Sequence, residues 1–152
     1  MQNDDLLAQC FLFKHLDRGE LHLLAEASDT VQYAAHDIIF DDHTVGDCMY
    51  FIRYGTVAVE KDDEEIARLG QGSHFGEVAL LDGGNRSATV TAVEHTELLK
   101  LDRGRFEALL ASDTKLASDV YHTLCVYLCG RLRRTTEQLA FFKDLSSHHH
   151  AD

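Results

Sequence analysis

Apolar residues recur at helical spacing near the start of the chain. Spacings of three and four residues predict a first short amphipathic helix through Leu6, Leu7, Cys10, Phe11 and Phe13. Asp17, with Glu20 three positions later, resembles a capping box. A second helix is therefore expected to follow, with its apolar face formed by Leu21, Leu24 and Ala25. Residues 4–28 are thus predicted to be helical.

After Ser28 the pattern changes to short alternating runs separated by turn residues. Gly55 lies between two of these runs and marks a turn. Short strands at regular spacing are typical of an antiparallel sandwich or barrel of the jelly-roll type. The runs predict strands at 30–35, 37–40, 49–54, 56–60, 65–69, 86–92 and 93–101.

Helical spacing returns after residue 101. Asp102 can cap a helix that buries Phe106, Leu109 and Leu110, and Ser112 or Asp113 can cap the next one. We expect that last helix to run over 114–142, a length of about 40 Å. The predicted fold is α+β: a single domain, 1–152, with helices at 4–28, an antiparallel β-roll at 29–101, helices at 102–142 and a tail at 143–152.

The long helix carries an apolar seam. Its members alternate in steps of four and three, as in a coiled coil: Tyr121, Cys125, Leu128, Leu132, Thr135, Leu139 and Phe142. We expect a homodimer through 114–142, because the helix is longer than a small barrel can cover. The alternative is that the seam packs on its own barrel.

Composition narrows the classes of function. The net charge of -12 argues against a nucleic-acid surface, which needs clustered lysine and arginine. The four cysteines lie among apolar residues and are expected to be free core thiols. His122, Cys125 and Cys129 have a spacing that a metal or haem could use, but core packing is the favoured interpretation and no metal site is predicted. The sequence has neither an apolar run of 18 residues nor a basic and apolar leader, so we expect a cytoplasmic protein without a membrane span.

One stretch has the chemistry of a phosphate site. Gly76 turns the chain into a short apolar run, where free backbone N–H groups at the start of a helix, among them those of Gly76 and Ala79, favour an anion. Arg86 follows within one loop and offers a planar fork of donors. Because a carboxylate would repel a phosphate, Glu77 is expected to accept hydrogen bonds from sugar hydroxyls. Phosphate, ribose and an apolar wall together indicate a nucleotide.

This stretch resembles the phosphate-binding cassette of the cyclic nucleotide-binding domain family. The pattern F-G-E, an aliphatic residue, A-L-L, a loop and then P-R-[AST]-A-[TS]-V is matched by 75–81 and 85–90, except that Asn85 replaces proline. A second match is 45–59, which resembles the family's G-D-x-x-Y-x-I-x-x-G-x-V-x-V strands. His36 and His43 stand where the family commonly has glycine, and histidine tolerates positive φ better than most residues.

The resemblance implies a cyclic nucleotide-binding regulatory module of the catabolite activator protein branch. In that branch Ser87 would also contact the phosphate, while Thr135, Thr136 and neighbouring Arg131 would meet the base, Thr136 from the partner subunit. Hydroxyl groups both donate and accept, as an adenine edge requires. We expect cAMP as the preferred ligand, with cGMP as the alternative, and no cofactor. Binding would move the dimerisation helix and signal to a downstream protein that the sequence does not identify.

Four other functions are weighed against this one. Only ten residues follow Phe142, so no helix-turn-helix and no DNA binding are expected. The cassette shows neither a metal cluster nor an activated nucleophile, so an enzyme is not expected. The main alternative is a fold-alike that has lost nucleotide binding and acts as a dimeric interaction module; a redox or haem sensor built on His122, Cys125 and Cys129 is a further one.

Overall fold

In the computed structural model, two four-stranded antiparallel sheets face each other, and helices flank them at both ends of the chain. The structure describes residues 2–10 and 13–150, without the side chains of Ala79, Asp82 and 146–150. Phe11, which the sequence places in the first helix, lies outside the described residues.

Two short helices open the chain, α1 (Asn3–Ala8) and α2 (Arg18–Glu26). The predicted capping box is confirmed: the Glu20 N–H donates to Asp17 Oδ1 over 2.8 Å, and the Asp17 N–H donates to Glu20 Oε1 over 3.0 Å. The two bonds satisfy donors that the first turn of α2 would otherwise leave open.

Eight strands form the two sheets, and the predicted α+β jelly-roll fold is confirmed. The first sheet has the order β1-β8-β3-β6 and the second the order β2-β7-β4-β5. β6 was not predicted, because two residues are too short to show alternation. The strands are β1 (Ser28–Tyr33), β2 (Ile38–Phe40), β3 (Cys48–Tyr54), β4 (Val57–Lys61), β5 (Glu64–Leu69), β6 (His74–Phe75), β7 (Thr89–Ala92) and β8 (Thr96–Asp102).

The turn at Gly55 takes the chain from the first sheet to the second. Its φ is +103°, and a Cβ there would lie 2.5 Å from Thr96 Oγ1, so only glycine fits. His36 and His43 have φ values of 75° and 69°, which confirms that both turns tolerate histidine. The strand predicted over 86–92 begins only at Thr89, because 86–88 belong to a loop within the cassette.

The first sheet is the middle layer of the molecule. On β3, Met49 and Phe51 pack among the helices, whereas Tyr50 and Ile52 face the space between the sheets. A strand buried on both faces reads as a continuous apolar run, which explains its composition. Leu99 and Leu101 of β8 share the helix-facing side, because alternate residues of a strand point to the same face.

Three further helices are α3 (Glu77–Asp82), α4 (Arg103–Ser112) and α5 (Thr114–His150). Asp102 caps α4 by accepting from the Arg105 N–H, and Asp113 accepts from the Leu116 N–H at the start of α5. The 37 residues of α5 correspond to about 55 Å. The predicted end at Phe142 is therefore wrong, and the helix continues because no proline or glycine follows Gly130 to stop it.

Two apolar stripes run along α5, and only one of them packs on the rest of the chain. Its buried stripe contains Leu116, Val120 and Leu124. The predicted seam faces outward, with Leu132 68% and Leu139 65% exposed. The alternative in which the seam packs on its own barrel is therefore wrong.

Candidate functional site

A cavity of about 390 Å³ opens beside β6 and α3. This volume lies within the range of small-molecule sites, about 300–1,000 Å³. The cavity combines an apolar wall with a small set of polar groups. Apolar side chains come from Phe40, Val59, Leu69, Phe75, Val78 and Val90, and polar ones from His74, Glu77, Asn85, Arg86, Ser87 and Arg131.

Gly76 shapes the turn between β6 and α3. Its φ is +83°, and a Cβ would lie 2.6 Å from Nη1 of Arg86. Glycine therefore supplies both the backbone conformation and the space for the arginine. Arg86 Nη1 uses that space to donate to the Gly76 carbonyl over 3.2 Å.

Arg86 is a buried cation, with only 5% of the residue exposed. Nη2 donates to the Cys48 carbonyl over 2.7 Å and approaches Cys48 Sγ at 3.4 Å. The guanidinium carbon lies 4.0 Å from the centre of the Phe40 ring. With Gly76 these are three polar contacts to described residues for five N–H groups, so within the described part of the chain donors remain for an anion in the cavity.

Asn85 joins the cassette to the loop before β3 through an isolated bridge to Val45. The bonds around the bridge run from the Gly46 N–H to the Gly84 carbonyl over 3.0 Å and from the Arg86 N–H to the Thr44 carbonyl over 2.7 Å. Neither bond uses the Asn85 N–H. The bridge therefore does not depend on the N–H that a proline at this position would lack.

Glu77, the first residue of α3, is 9% exposed and holds partners on both carboxylate oxygens. Oε1 accepts from the Tyr127 hydroxyl over 3.3 Å and lies 3.6 Å from Arg131 Nη1, both on α5. Oε2 lies 3.5 Å from His74 Nδ1 on β6. Burial by itself raises the pKa of Glu77, but the adjacent His74 and the Tyr127 hydroxyl outweigh it and lower that pKa. Glu77 is therefore a carboxylate at neutral pH.

Tyr127 and Arg131 bring α5 to the site: Arg131 lines the cavity, and Tyr127 donates to Glu77 in the cavity wall. They are four residues apart and share one helix face, with the Arg131 guanidinium 6.0 Å from the Tyr127 ring centre. The Tyr127 ring also meets the His74 ring edge-on, at 6.2 Å between centres. Burial and the Glu77 charge raise the pKa of Tyr127, so its hydroxyl keeps the proton it donates.

The structure brings together part of the predicted site. Gly76, Glu77, Arg86, Ser87 and Arg131 line one cavity, with Ser87 at its exposed side. The last predicted phosphate residue, Ala79, belongs to α3, and its side chain is not among those described.

Thr135 and Thr136 lie outside the cavity lining. Both are exposed on α5, and their hydroxyls donate to the helix carbonyls of Arg131 and Leu132 over 3.0 and 2.9 Å. Hydroxyls bonded one turn back along their own helix are not aimed at a ligand in this conformation. Arg131 is the predicted base residue that reaches the cavity from α5.

The sequence did not identify His74, Tyr127 or the residues that form the apolar wall. Tyr127 could have been predicted as a site residue, because it lies four residues before Arg131 and so on the same helix face. The wall follows from sheet register, in which Val59 pairs with Val90 and Val57 with Leu69. No short-range pattern pointed to His74.

The four cysteines lie in two different environments. Cys10 and Cys48 are buried, as predicted, whereas Cys125 and Cys129 are exposed on α5, so the prediction of core thiols is wrong for these two. Within residues 2–10 and 13–150, no group of three or more histidine, cysteine or acidic residues is arranged to hold a metal ion. Among the helices that the structure describes, none is both long and apolar enough to span a bilayer.

Comparison with known proteins gives a consistent picture. The sequence profile of the cyclic nucleotide-binding domain matches residues 30–113. A putative potassium channel protein of Rhodopseudomonas palustris is 35% identical over 121 residues, which are 78% of this chain and 29% of the channel protein. The chain thus spans less than a third of that relative.

Two solved structures share the fold. The regulatory domain of Toxoplasma gondii PKA, co-crystallised with cAMP, has a TM-score of 0.66 and 34% identity over 71% of this chain and 43% of that one. The catabolite activator protein of Thermus thermophilus has a TM-score of 0.75 and 33% identity over 88% of this chain and 63% of that one.

Proposed function

Because this chain belongs to the cyclic nucleotide-binding domain family, we propose that it is a regulatory module that binds a purine 3′,5′-cyclic nucleotide, preferentially cAMP, and passes the signal to α5. The observation that carries the proposal is that two buried residues, Arg86 and Glu77, line the same cavity of about 390 Å³. Arg86 would neutralise the cyclic phosphate, with Ser87 and backbone amides beside it. The module binds its ligand without turnover.

Glu77 suits the sugar of such a ligand. In a 3′,5′-cyclic nucleotide the 3′ and 5′ oxygens of the ribose are both esterified to the phosphate. The 2′-hydroxyl is therefore the free donor on the ribose. A buried carboxylate whose pKa is lowered can accept that proton in a hydrogen bond at neutral pH. Val59, Leu69 and Val90 would then cover the apolar faces of the purine.

The proposed preference for adenine rests on residues of α5. Arg131 reaches the cavity, while the Thr135 and Thr136 hydroxyls would meet the base once α5 closes over it. Hydroxyls can serve both the amino group and a ring nitrogen of adenine, which favours cAMP over cGMP. The complex of Toxoplasma gondii PKA with cAMP supports this choice.

Isothermal titration with cAMP, cGMP and 5′-AMP tests the binding step. We expect saturable binding at one site per chain, strongest for cAMP and weakest for 5′-AMP, whose open phosphate carries an additional charge. Folded protein that binds none of the three would favour the alternative, a dimeric interaction module without a ligand.

Tyr127 and Arg131 suggest how binding reaches α5. Both hold Glu77 through Oε1, the oxygen that a 2′-hydroxyl arriving in the cavity would also use. A ligand shifts an equilibrium only by binding its states unequally, and competition for one oxygen supplies that inequality. The ligand therefore releases Tyr127 and Arg131 from Glu77 and lets α5 reseat against the base.

Hydrogen exchange of α5 with and without cAMP tests this coupling. We expect altered protection around Tyr127 and Arg131 that extends along the helix. Tyr127→Phe removes the hydroxyl and keeps the ring, so the ligand-dependent change should become smaller. Unchanged protection of α5 at saturating cAMP would contradict the coupling while leaving the binding step intact.

A second copy of this chain is the proposed partner of the exposed seam on α5. Its spacing is that of a coiled coil, and Leu132, Leu139 and Phe142 are at least 65% exposed. Sedimentation equilibrium tests the dimer. Leu132→Glu should yield monomers, whereas Ile66→Glu, which adds the same charge at a 60% exposed apolar position on β5, should not. A monomeric parent protein would contradict the proposal.

A downstream protein that binds α5 would complete the signal.

A further inference from the structure

His74 lies between the ribose-binding carboxylate and the N-terminal helices, and nothing in the proposed function uses it. Its side chain is 14% exposed and packs against the rings of Phe51 and Tyr127. Nδ1 is buried and makes no hydrogen bond with any residue that the structure describes. A buried polar atom without a partner is costly, so its position calls for an explanation.

The carboxylate of Glu77 supplies that explanation. Its two oxygens face different elements: Oε1 contacts Tyr127 and Arg131 on α5, and Oε2 lies 3.5 Å from Nδ1 of His74 on β6. The distance is long for a hydrogen bond but short for an ion pair. A small rotation of the carboxylate towards β6 would close the gap. When a ribose hydroxyl replaces Tyr127 on Oε1, the contacts from α5 to Glu77 no longer oppose that rotation.

We propose that His74 is a positioning residue, which anchors Oε2 of Glu77 so that Oε1 is aimed at the ligand's 2′-hydroxyl, and that protonated His74 strengthens nucleotide binding. The proposal rests on the proposed function, because it concerns the same ligand and the same carboxylate. It predicts that affinity depends on pH through a group that does not itself hold the phosphate.

The charges around His74 set the direction of this dependence. The Cys10 thiol faces it from the N-terminal segment, Glu77 from α3, and Tyr127 with the Arg131 cation from α5. Burial lowers the pKa of His74, but its interactions with Cys10 and Glu77 outweigh burial and raise that pKa above the ordinary 6.5. The imidazolium is therefore present at neutral pH and is lost as pH rises, so affinity should fall on the alkaline side.

The decisive experiment compares two ligands in two histidine variants. We expect His74→Gln to weaken cAMP binding at pH 7 at least about tenfold, the lower end for a hydrogen bond to a charged group. Binding of 2′-deoxy-cAMP should change much less, because that ligand lacks the hydroxyl that Glu77 accepts. His22→Gln is the matched control: His22 lies 3.1 Å from Asp4 in an exposed pair away from the cavity, and its loss should leave both affinities unchanged.

Measurement of the affinity for both ligands from pH 6 to 11 adds a readout that a merely structural role would not change. The parent and His22→Gln should lose cAMP affinity as pH rises through about 10, the pKa of His74 in the folded chain, and His74→Gln should not follow that curve. The proposal would be overturned if His74→Gln lost affinity for cAMP and for 2′-deoxy-cAMP by the same factor. It would also be overturned if the pH profile of cAMP affinity in His74→Gln matched that of the parent. A parent protein that binds no cAMP at any pH would instead refute the proposed function, and this inference with it.

The parent protein provides a test that does not depend on the folding of a variant. The His74 ring resonance can be titrated by NMR with and without cAMP. A higher pKa in the complex supports the anchoring of Oε2, and an identical pKa in both states refutes it.

Discussion

Substitution of Arg86 by alanine should affect stability and ligand binding by separable amounts. In the folded chain the guanidinium donates to the carbonyls of Gly76 and Cys48 and stacks on Phe40. Each buried carbonyl left without its partner costs about 1–3 kcal/mol, so for the two carbonyls we expect a destabilisation of about 2–6 kcal/mol. For a domain of this size that corresponds to a decrease in Tm of about 10 °C.

The loss in the free energy of cAMP binding should be of similar size. Two hydrogen bonds from a cation to the cyclic phosphate contribute about 1.5–3 kcal/mol each, so Arg86→Ala should weaken cAMP binding by a hundredfold or more. Arg86→Gln keeps an amide that can donate to the Cys48 carbonyl but has no charge. It should recover part of the Tm and little of the affinity.

Isothermal titration at a temperature where each variant is folded by circular dichroism measures these effects. Arg68→Ala is the matched control, because Arg68 pairs with Glu65 on exposed β5 outside the cavity. Thr135→Ala, which removes a neutral hydroxyl, should weaken cAMP binding less than about tenfold. Folded Arg86→Ala that binds cAMP within a few-fold of the parent would refute the assignment of Arg86 to the phosphate.

Three further predictions concern the fold and the pH dependence. Asp17→Ala removes the capping box of α2 and should lower the free energy of unfolding by about 1 kcal/mol, as measured in urea; an unchanged midpoint would contradict the capping role. The pKa of Glu77 is lowered in the folded chain, so its stabilisation is present above its ordinary pKa of 4.5 and is lost as pH falls through the folded value. The acid limb of the unfolding free energy should accordingly be shallower in Glu77→Gln than in the parent, and identical limbs would argue against that shift. Asn85→Pro removes an N–H that the bridge to Val45 does not use, and we expect its Tm within about 4 °C of the parent, because backbone substitutions compatible with the native conformation change stability by about 1 kcal/mol or less.

Where the chemistry depends on residues close in sequence, the sequence predicted the structure well. Glu77 and Arg86 lie nine positions apart within one cassette, and the structure places both in the cavity. The caps at Asp17, Asp102 and Asp113 were equally accessible, because a cap is defined by its own helix. Seven of the eight strands of the β-roll also followed from alternation and turn residues.

Features that depend on packing between distant segments could not be predicted. Both stripes of α5 are apolar at helical spacing, and only the position of the β-roll decides that Leu124 is buried and Leu132 exposed. His74 contacts the cassette and α5 because a two-residue strand crosses beneath them. Thr135 was assigned to the base from the family resemblance, and its hydroxyl bonds to its own helix in this conformation.

The central claim is that a cyclic nucleotide binds between Arg86 and Glu77, and an amide chemical-shift titration of the parent protein with cAMP tests it most directly. The account predicts saturable shifts that are largest at Gly76, Glu77 and Ser87 and extend to α5 around Arg131. The absence of shifts at millimolar cAMP, or saturable shifts confined to a surface away from this cavity, would contradict it.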